Sequence, residues 1–226
     1  MTQLVQLQET PDLVERVYLA VLDAISDGTF APGQRVTQED LARQLAVSRQ
    51  PVLQALRQLK TDGFVQDAPG RGLMVAPLDA RWMLQVYQVR GALDRLAAQS
   101  AARLRFPLDE ALLVQGRQAA RGHDIAAMID ADLAFHNAIY QASGNPLIEQ
   151  TARHHWRHLR RVMGAVLQAS GQRNAVWDEH AAIAQAIRSG DVDRAGLLIE
   201  NHSAGAGEAL AQRISNFLQP TEAKTA

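Results

Sequence analysis

Four side chains set the chemical question: Asp132 and His136 in Asp132-Leu-Ala-Phe-His136, His180 in Trp177-Asp-Glu-His180, and His202 in Ile199-Glu-Asn-His202. Residues four apart lie on one helical face, so Asp132 and His136 can reach a common point. The candidates there are a metal site, a catalytic pair, or a hydrogen-bonded core pair, and a lone histidine on an apolar face is most often the last of these. An aspartate with three imidazoles suits a divalent transition metal, Zn, Ni, Fe or Mn, and an octahedral ion would keep positions open for water or a ligand carboxylate. Spacing alone does not bring three separate helices together.

The rest of the chain narrows the chemistry. With no cysteine among 226 residues, thiolate catalysis, disulfides and cysteine-based zinc sites are excluded, leaving His, Asp and Glu as the strong metal ligands. A composition 47% hydrophobic supports real cores, and a formal net charge of -1 advertises no polyanionic partner, so nucleic-acid contact requires a local patch. No stretch approaches the ~20 apolar residues of a membrane span, and the N-terminus lacks a signal-peptide pattern; the expectation is a cytoplasmic protein. No phosphate loop, Ser/His/Asp arrangement or dedicated general base stands out.

The elements that must carry these residues fall into two parts, 1–77 and 78–226, divided where the composition changes at Ala76-Pro77-Leu78. In the first part, Thr10-Pro11 opens a helix whose apolar residues are Leu13, Val17, Val21, Leu22 and Ile25. Thr37 opens a second helix, and Ser48 is expected to cap a third with the buried stripe Val52, Ala55, Leu56 and Leu59. Phe64 to Asp67, a Pro69-Gly70-Arg71-Gly72 turn, and Leu73 to Val75 read as strand, turn, strand. That order is a winged helix-turn-helix. The second part reads as an all-α bundle of about six helices, near 79–104, 108–121, 123–142, 146–169, 174–189 and 191–218, with an unstructured tail from Pro220.

The stripe on the third helix leaves Gln50, Gln54 and Arg57 facing outward, with Arg49 and Leu53 on the flanks. Arg pairs with guanine and Gln with adenine in the major groove, and Arg71 at the hairpin tip is placed for phosphate or the minor groove. Four basic and no acidic residues lie between Arg43 and Lys60, although residues 1–77 hold seven Lys/Arg against nine Asp/Glu. The electrostatic case is therefore local.

The run Asp40-Leu-Ala-Arg-Gln-Leu-Ala-Val-Ser-Arg-Gln-Pro-Val52, with Gly28 to Gly33, Asp62-Gly63-Phe64-Val65 and Gly70-Arg71-Gly72, resembles the DNA-binding domain of GntR-type bacterial transcription regulators. Leu53-Gln54 and Glu39 depart from the common Arg-Glu and arginine at those positions, which implies an atypical half-site read by Arg49, Gln50, Gln54, Arg57 and Arg71. Arg90, Asp94, Asp132, His136, Asn145, His180 and His202 resemble the helical effector domain of the FadR subgroup, known as the FCD domain. The resemblance implies that Asp132, His136, His180 and His202 converge on a metal, that Arg90 meets a small carboxylate effector, and that a homodimer binds double-stranded operator DNA. It implies a regulator rather than an enzyme. A metal-dependent enzyme, and a constitutive DNA-binding protein with a structural metal, are the competing readings. Arg157 and Arg161 form a second same-face cationic pair, and His154, His155 and His158 read as a solvated or interface surface.

Overall fold

The computed structural model describes residues 13–166 and 174–219. The expected opening at Thr10-Pro11, the end of the fourth bundle helix past 166 and the tail from Pro220 lie outside them. The chain divides into two compact units, Met1–Pro77 and Leu78–Ala226.

The first unit runs α1 (Leu13–Ser26), β1 (Arg35–Val36), α2 (Gln38–Gln44), α3 (Arg49–Thr61), β2 (Val65–Asp67) and β3 (Leu73–Val75). Val17, Val21, Leu22 and Ile25 of α1 pack with Val52, Ala55, Leu56 and Leu59 of α3, and Phe64, Val65 and Val75 close the same core. Thr37 caps α2 by accepting from Asp40 N–H. Ser48 occupies the N-cap position of α3 in extended backbone but makes no capping hydrogen bond, contrary to expectation. The connection between α2 and α3 is tightened by Ala46 at φ +52 and by Val47 N–H donating to the Ala42 carbonyl. The sheet has one strand more than the sequence pattern suggested: β1 pairs antiparallel with β3 (Arg35 opposite Met74), and β3 with β2 (Val65 opposite Val75). Two residues carry no readable alternation, so β1 owes its existence to its partner.

The second unit consists of α4 (Ala80–Arg103), α5 (Glu110–Arg121), α6 (Ile125–Ala142), α7 (Pro146–Val166), α8 (Asn174–Ser189) and α9 (Val192–Leu218). Aspartates 79, 109, 124 and 191 cap α4, α5, α6 and α9 through their side chains. Helices α4 and α9 lie antiparallel: a Cβ on Gly207 would meet Tyr87, one on Gly91 would touch Ser203, and one on Gly196 would meet Gln99. Small residues on both faces bring the two backbones close and let side chains from α6 and α8 converge on the same region. Phe135, Ile139, Tyr140, Trp156, Leu159, Ile183, Ile187 and Ile199 form the surrounding core. Among the described residues, no helix is long and apolar enough to cross a membrane.

Candidate functional site

Within that core, α6 contributes Asp132 and His136, α8 contributes His180 and α9 contributes His202. One ligand atom from each lies within 4.8 Å of the others. The expected four residues thus meet. His180 Nε2 is 3.3 Å from His202 Nε2 and 3.4 Å from Asp132 Oδ1. His136 and His180 are fully buried, His202 nearly so, and Asp132 half-buried.

The hydrogen bonds around the cluster set what it can hold. Glu179 Oε2 accepts from His202 Nδ1 at 2.8 Å, which leaves the His202 Nε2 lone pair facing inward. Arg90 Nη2 lies 2.9 Å from His136 Nε2, and because a guanidinium only donates, that Nε2 also carries a lone pair. The His136 proton is then on Nδ1, 3.7 Å from Asp94 Oδ1, while Asp132 Oδ1 and His180 Nδ1 are buried without hydrogen-bond partners. Lone pairs therefore outnumber protons at the centre, and a cation is their chemical complement. With bonds of about 2.0–2.2 Å, ligands on opposite sides of an ion stand about 4.2 Å apart, so a contraction of a few tenths of an ångström fits this donor set to a metal.

Protonation states agree. Burial, reinforced by Arg90, lowers the His136 pKa, and burial with His202 and His136 pushes His180 well below its ordinary value. Both imidazoles are neutral near pH 7, as metal ligation requires. The Glu179 carboxyl is lowered chiefly by its hydrogen bond with His202, so it is an anion poised to raise the basicity of that imidazole.

Arg90 is 1% exposed and stands on the core stripe of α4. Its Nε lies 3.2 Å from Asp94 Oδ2, and its guanidinium carbon sits 4.1 Å over the Trp156 ring. Burial alone would raise the Asp94 pKa, but Arg90, His136 and the Tyr140 hydroxyl hold it well below the usual carboxylate range. Burial likewise works against the Arg90 charge, and Asp94 together with Tyr140, Tyr87 and Asp132 more than offsets it. Tyr140 and Ser203 complete the Asp94 shell, donating at 2.5 and 2.8 Å. Burial pushes Tyr87, beside Arg90, up to about 12.

A cavity of about 400 Å³ opens against this cluster, lined by Asp132, His202, Glu179, Arg90 and Tyr87 at one part and by apolar residues including Met128, Met163 and Leu210 elsewhere. That volume falls in the range of small-ligand pockets. Glu179, Tyr140 and Ser203 were not legible as site residues, since each acts on a residue of another helix; Asp94 pairs with Arg90 one turn away on α4 itself. The other expectations in this unit fare differently. His154 is exposed and His155 half-buried, whereas His158 is buried edge-on against Trp82 at 4.5 Å between ring centroids, so the surface reading fails for it. Arg161 is buried, its pKa lowered to about 10 by desolvation, and neither it nor Arg157 lines the cavity.

In the first unit Gln50, Gln54, Arg57 and Arg71 are exposed, as is Arg49. Arg49 pairs with Glu39 at 3.0 Å on α2, but both side chains are about two-thirds exposed, so the pair is weak. Gln38 Nε2 donates to the Arg49 carbonyl at 2.6 Å, tying the start of α3 to α2. Arg35, which sequence reasoning passed over, donates to the Arg71 and Pro69 carbonyls at 2.8 and 2.6 Å and braces the hairpin tip. Gly70 and Gly72 sit at φ +92 and +91, a conformation that side chains disfavour.

Comparison with known proteins accounts for both units. Residues 13–75 match the family of bacterial regulatory proteins, gntR family, and residues 85–205 match the FCD domain. An uncharacterized HTH-type transcriptional regulator of Streptomyces ambofaciens is 27% identical over 82% of this chain and 80% of its own. The fold is shared with E. coli McbR/YncC, TM-score 0.72 and 21% identity over 89% of this chain and 98% of that one. It is also shared with a GntR transcriptional regulator from Rhodococcus sp. RHA1, TM-score 0.71 and 25% identity over 88% and 97%. The chain accordingly belongs to the GntR family of bacterial regulatory proteins: it is a DNA-binding transcription regulator with an FCD domain, not an enzyme.

Proposed function

We propose that this regulator is a cytoplasmic homodimer that senses a small carboxylate at a metal-centred pocket and adjusts its affinity for operator DNA in response. The observation carrying this reading is the convergence of Asp132, His136, His180 and His202 beside a cavity whose lining includes Asp132, His202 and Arg90. A divalent transition metal, Zn, Ni, Fe or Mn, held there would offer a carboxylate oxygen a direct contact. The protein's own groups do the rest. His202 is oriented by Glu179, and Arg90, which lines the cavity, supplies a fixed positive charge that an anion there would meet. Occupation of the His136 lone pair by an ion would displace the Arg90 donor now bound to it, releasing one more N–H for the effector.

On the DNA side, Arg49, Gln50, Gln54 and Arg57 of α3 read base edges in a major groove, and Arg71 anchors the wing on the backbone or minor groove. Two copies read two half-sites of a near-palindromic operator. An effector that binds one arrangement of the two DNA-binding units better than another shifts operator affinity by that difference.

The engagement of Arg90 by Asp94 and His136 favours one other reading, a structural metal in a constitutive DNA-binding protein. A thermal-shift screen of small carboxylates on metal-loaded and metal-stripped protein separates the two. Metal-dependent stabilisation by a carboxylate that also changes operator binding supports the sensor, and stabilisation by metal alone supports the structural role. Arg49→Ala tests the DNA side, with an expected loss of ~1–3 kcal/mol in specific binding; unchanged operator affinity would remove Arg49 from the readers.

A further inference from the structure

The cavity carries a second cation that the carboxylate-sensor reading leaves unused. Arg213 lines it, half-buried, and makes no ion pair or hydrogen bond with any described residue. Its position on α9 fixes its relation to the metal cluster. Eleven residues separate it from His202, three turns of helix, so the two side chains leave the same face of α9 within about 20° of each other and about 16 Å apart along the axis. Between them on that face come Gly205, Ala206, Ala209 and Leu210, which also line the cavity. Side chains on a helix lean toward its N-terminus, which carries the long Arg213 stem back in the direction of His202. The cavity is thus polar toward His202, apolar along the small residues of α9, and cationic again toward Arg213. Met128 of α6, one turn before Asp132, adds a further apolar side chain to the lining.

We infer that the effector is an elongated molecule with an acidic group at each end and an apolar middle, a linear α,ω-dicarboxylate, whose second carboxylate is held by Arg213. This rests on the proposal that the first carboxylate binds at the metal cluster and Arg90. A single short acid leaves Arg213 without a counter-charge in a partly desolvated wall, whereas a polyhydroxylated acid presents hydroxyls to Gly205, Ala206, Ala209 and Leu210, which offer no side-chain hydrogen-bonding group. Methylene groups match that wall, and the methionines adapt to chain length.

Calorimetric titration of the full-length, metal-loaded protein tests this with acetate, hexanoate, glutarate, adipate, pimelate and gluconate as probes. At least one dicarboxylate of the series is expected to bind about tenfold or more tightly than hexanoate, the size of one net charge-assisted hydrogen bond. Arg213→Ala and Arg213→Gln should each erase that advantage while leaving hexanoate affinity and melting temperature near wild type, and Arg213→Lys should keep part of it. Equal affinity for mono- and dicarboxylates, a dicarboxylate advantage that survives both neutral variants, or a preference for gluconate would overturn the inference while leaving the metal-and-Arg90 site standing. Failure of every carboxylate, acetate included, would overturn that site itself, and Arg213's role with it.

Discussion

Replacing Glu179 by glutamine or alanine separates a metal centre from a coincidental polar cluster. Glu179 does not face the convergence point; it accepts the Nδ1 proton of His202 at 2.8 Å, fixing the tautomer that turns Nε2 inward. Such outer partners typically contribute 10–100-fold, about 1.4–2.7 kcal/mol, to metal affinity. The Glu179 side chain is 55% exposed, so solvent screens its charge and the low end applies. Glutamine keeps an acceptor and loses only the charge, so a loss of several-fold is expected; alanine loses both, and about tenfold is expected. The assay is competition of the purified protein against a chelating dye at pH 7, with the melting temperature of metal-free protein as control. That control should barely move, because an exposed pair contributes less than about 1 kcal/mol to folding. At saturating metal, the tenfold weaker variant should lose about 1.4 kcal/mol of metal-induced stabilisation. Unchanged affinity in both variants, or an equal fall in metal-free stability, would refute the assignment of Glu179 as the orienting partner of a metal-binding His202.

Three further outcomes can be measured independently. His136 and His180 have folded-state pKa values below their unfolded ones, so the unfolded chain binds more protons as pH falls; metal-free stability should hold above about pH 6.5 and decline below it, and a flat melting temperature from pH 7 to 5 would contradict their burial as neutral groups. A Cβ on Gly116 would overlap the indole of Trp177, which packs edge-on against His180, so Gly116→Ala should cost about 1–3 kcal/mol in denaturant unfolding and weaken metal binding, and a neutral result would mean that Trp177 moves freely. Arg90→Ala leaves Asp94 charged and buried, with an expected loss of about 3–5 kcal/mol, whereas Arg90→Met with Asp94→Leu should recover only part of that loss, because the Tyr140 and Ser203 hydroxyls lose their acceptor, yet abolish carboxylate binding; a double variant that still binds effector would release Arg90 from that role.

The helices were legible because their apolar stripes are clean and their ends are punctuated: aspartates cap four of the bundle helices, and the α3 stripe of Val52, Ala55, Leu56 and Leu59 is the one buried. What stayed hidden depends on a second element. His158 falls beside the main stripe of α7, formed by Ile148, Ala152, Trp156, Leu159 and Val162, and is buried because Trp82 of α4 covers that flank. Glu179 is turned about 100° from His180 on its own helix, and only the packing of α9 places His202 beside it. Arg35 braces the wing through carbonyls 34 and 36 residues away, a relation no local spacing encodes.

The buried face of α4 breaks its own apolar pattern. The core stripe of α4 runs Met83, Val86, Tyr87, Arg90, Gly91, Asp94, Ala97, Ala98 and Ala101, so two opposite charges occupy successive turns where apolar residues would pack. A buried pair of this kind does not improve on well-packed hydrophobic residues as a source of stability. Its presence opposite His136, which also interrupts an apolar stripe, means that two helices break their own patterning at one place in space. Local rules broken together at one site mark where a protein is built for something other than folding. The Asp132 oxygen and the inward imidazole lone pairs give that place its sense: the core there lacks positive charge beyond what Arg90 supplies, and a metal ion followed by an acidic effector is the sequence of additions that would complete it.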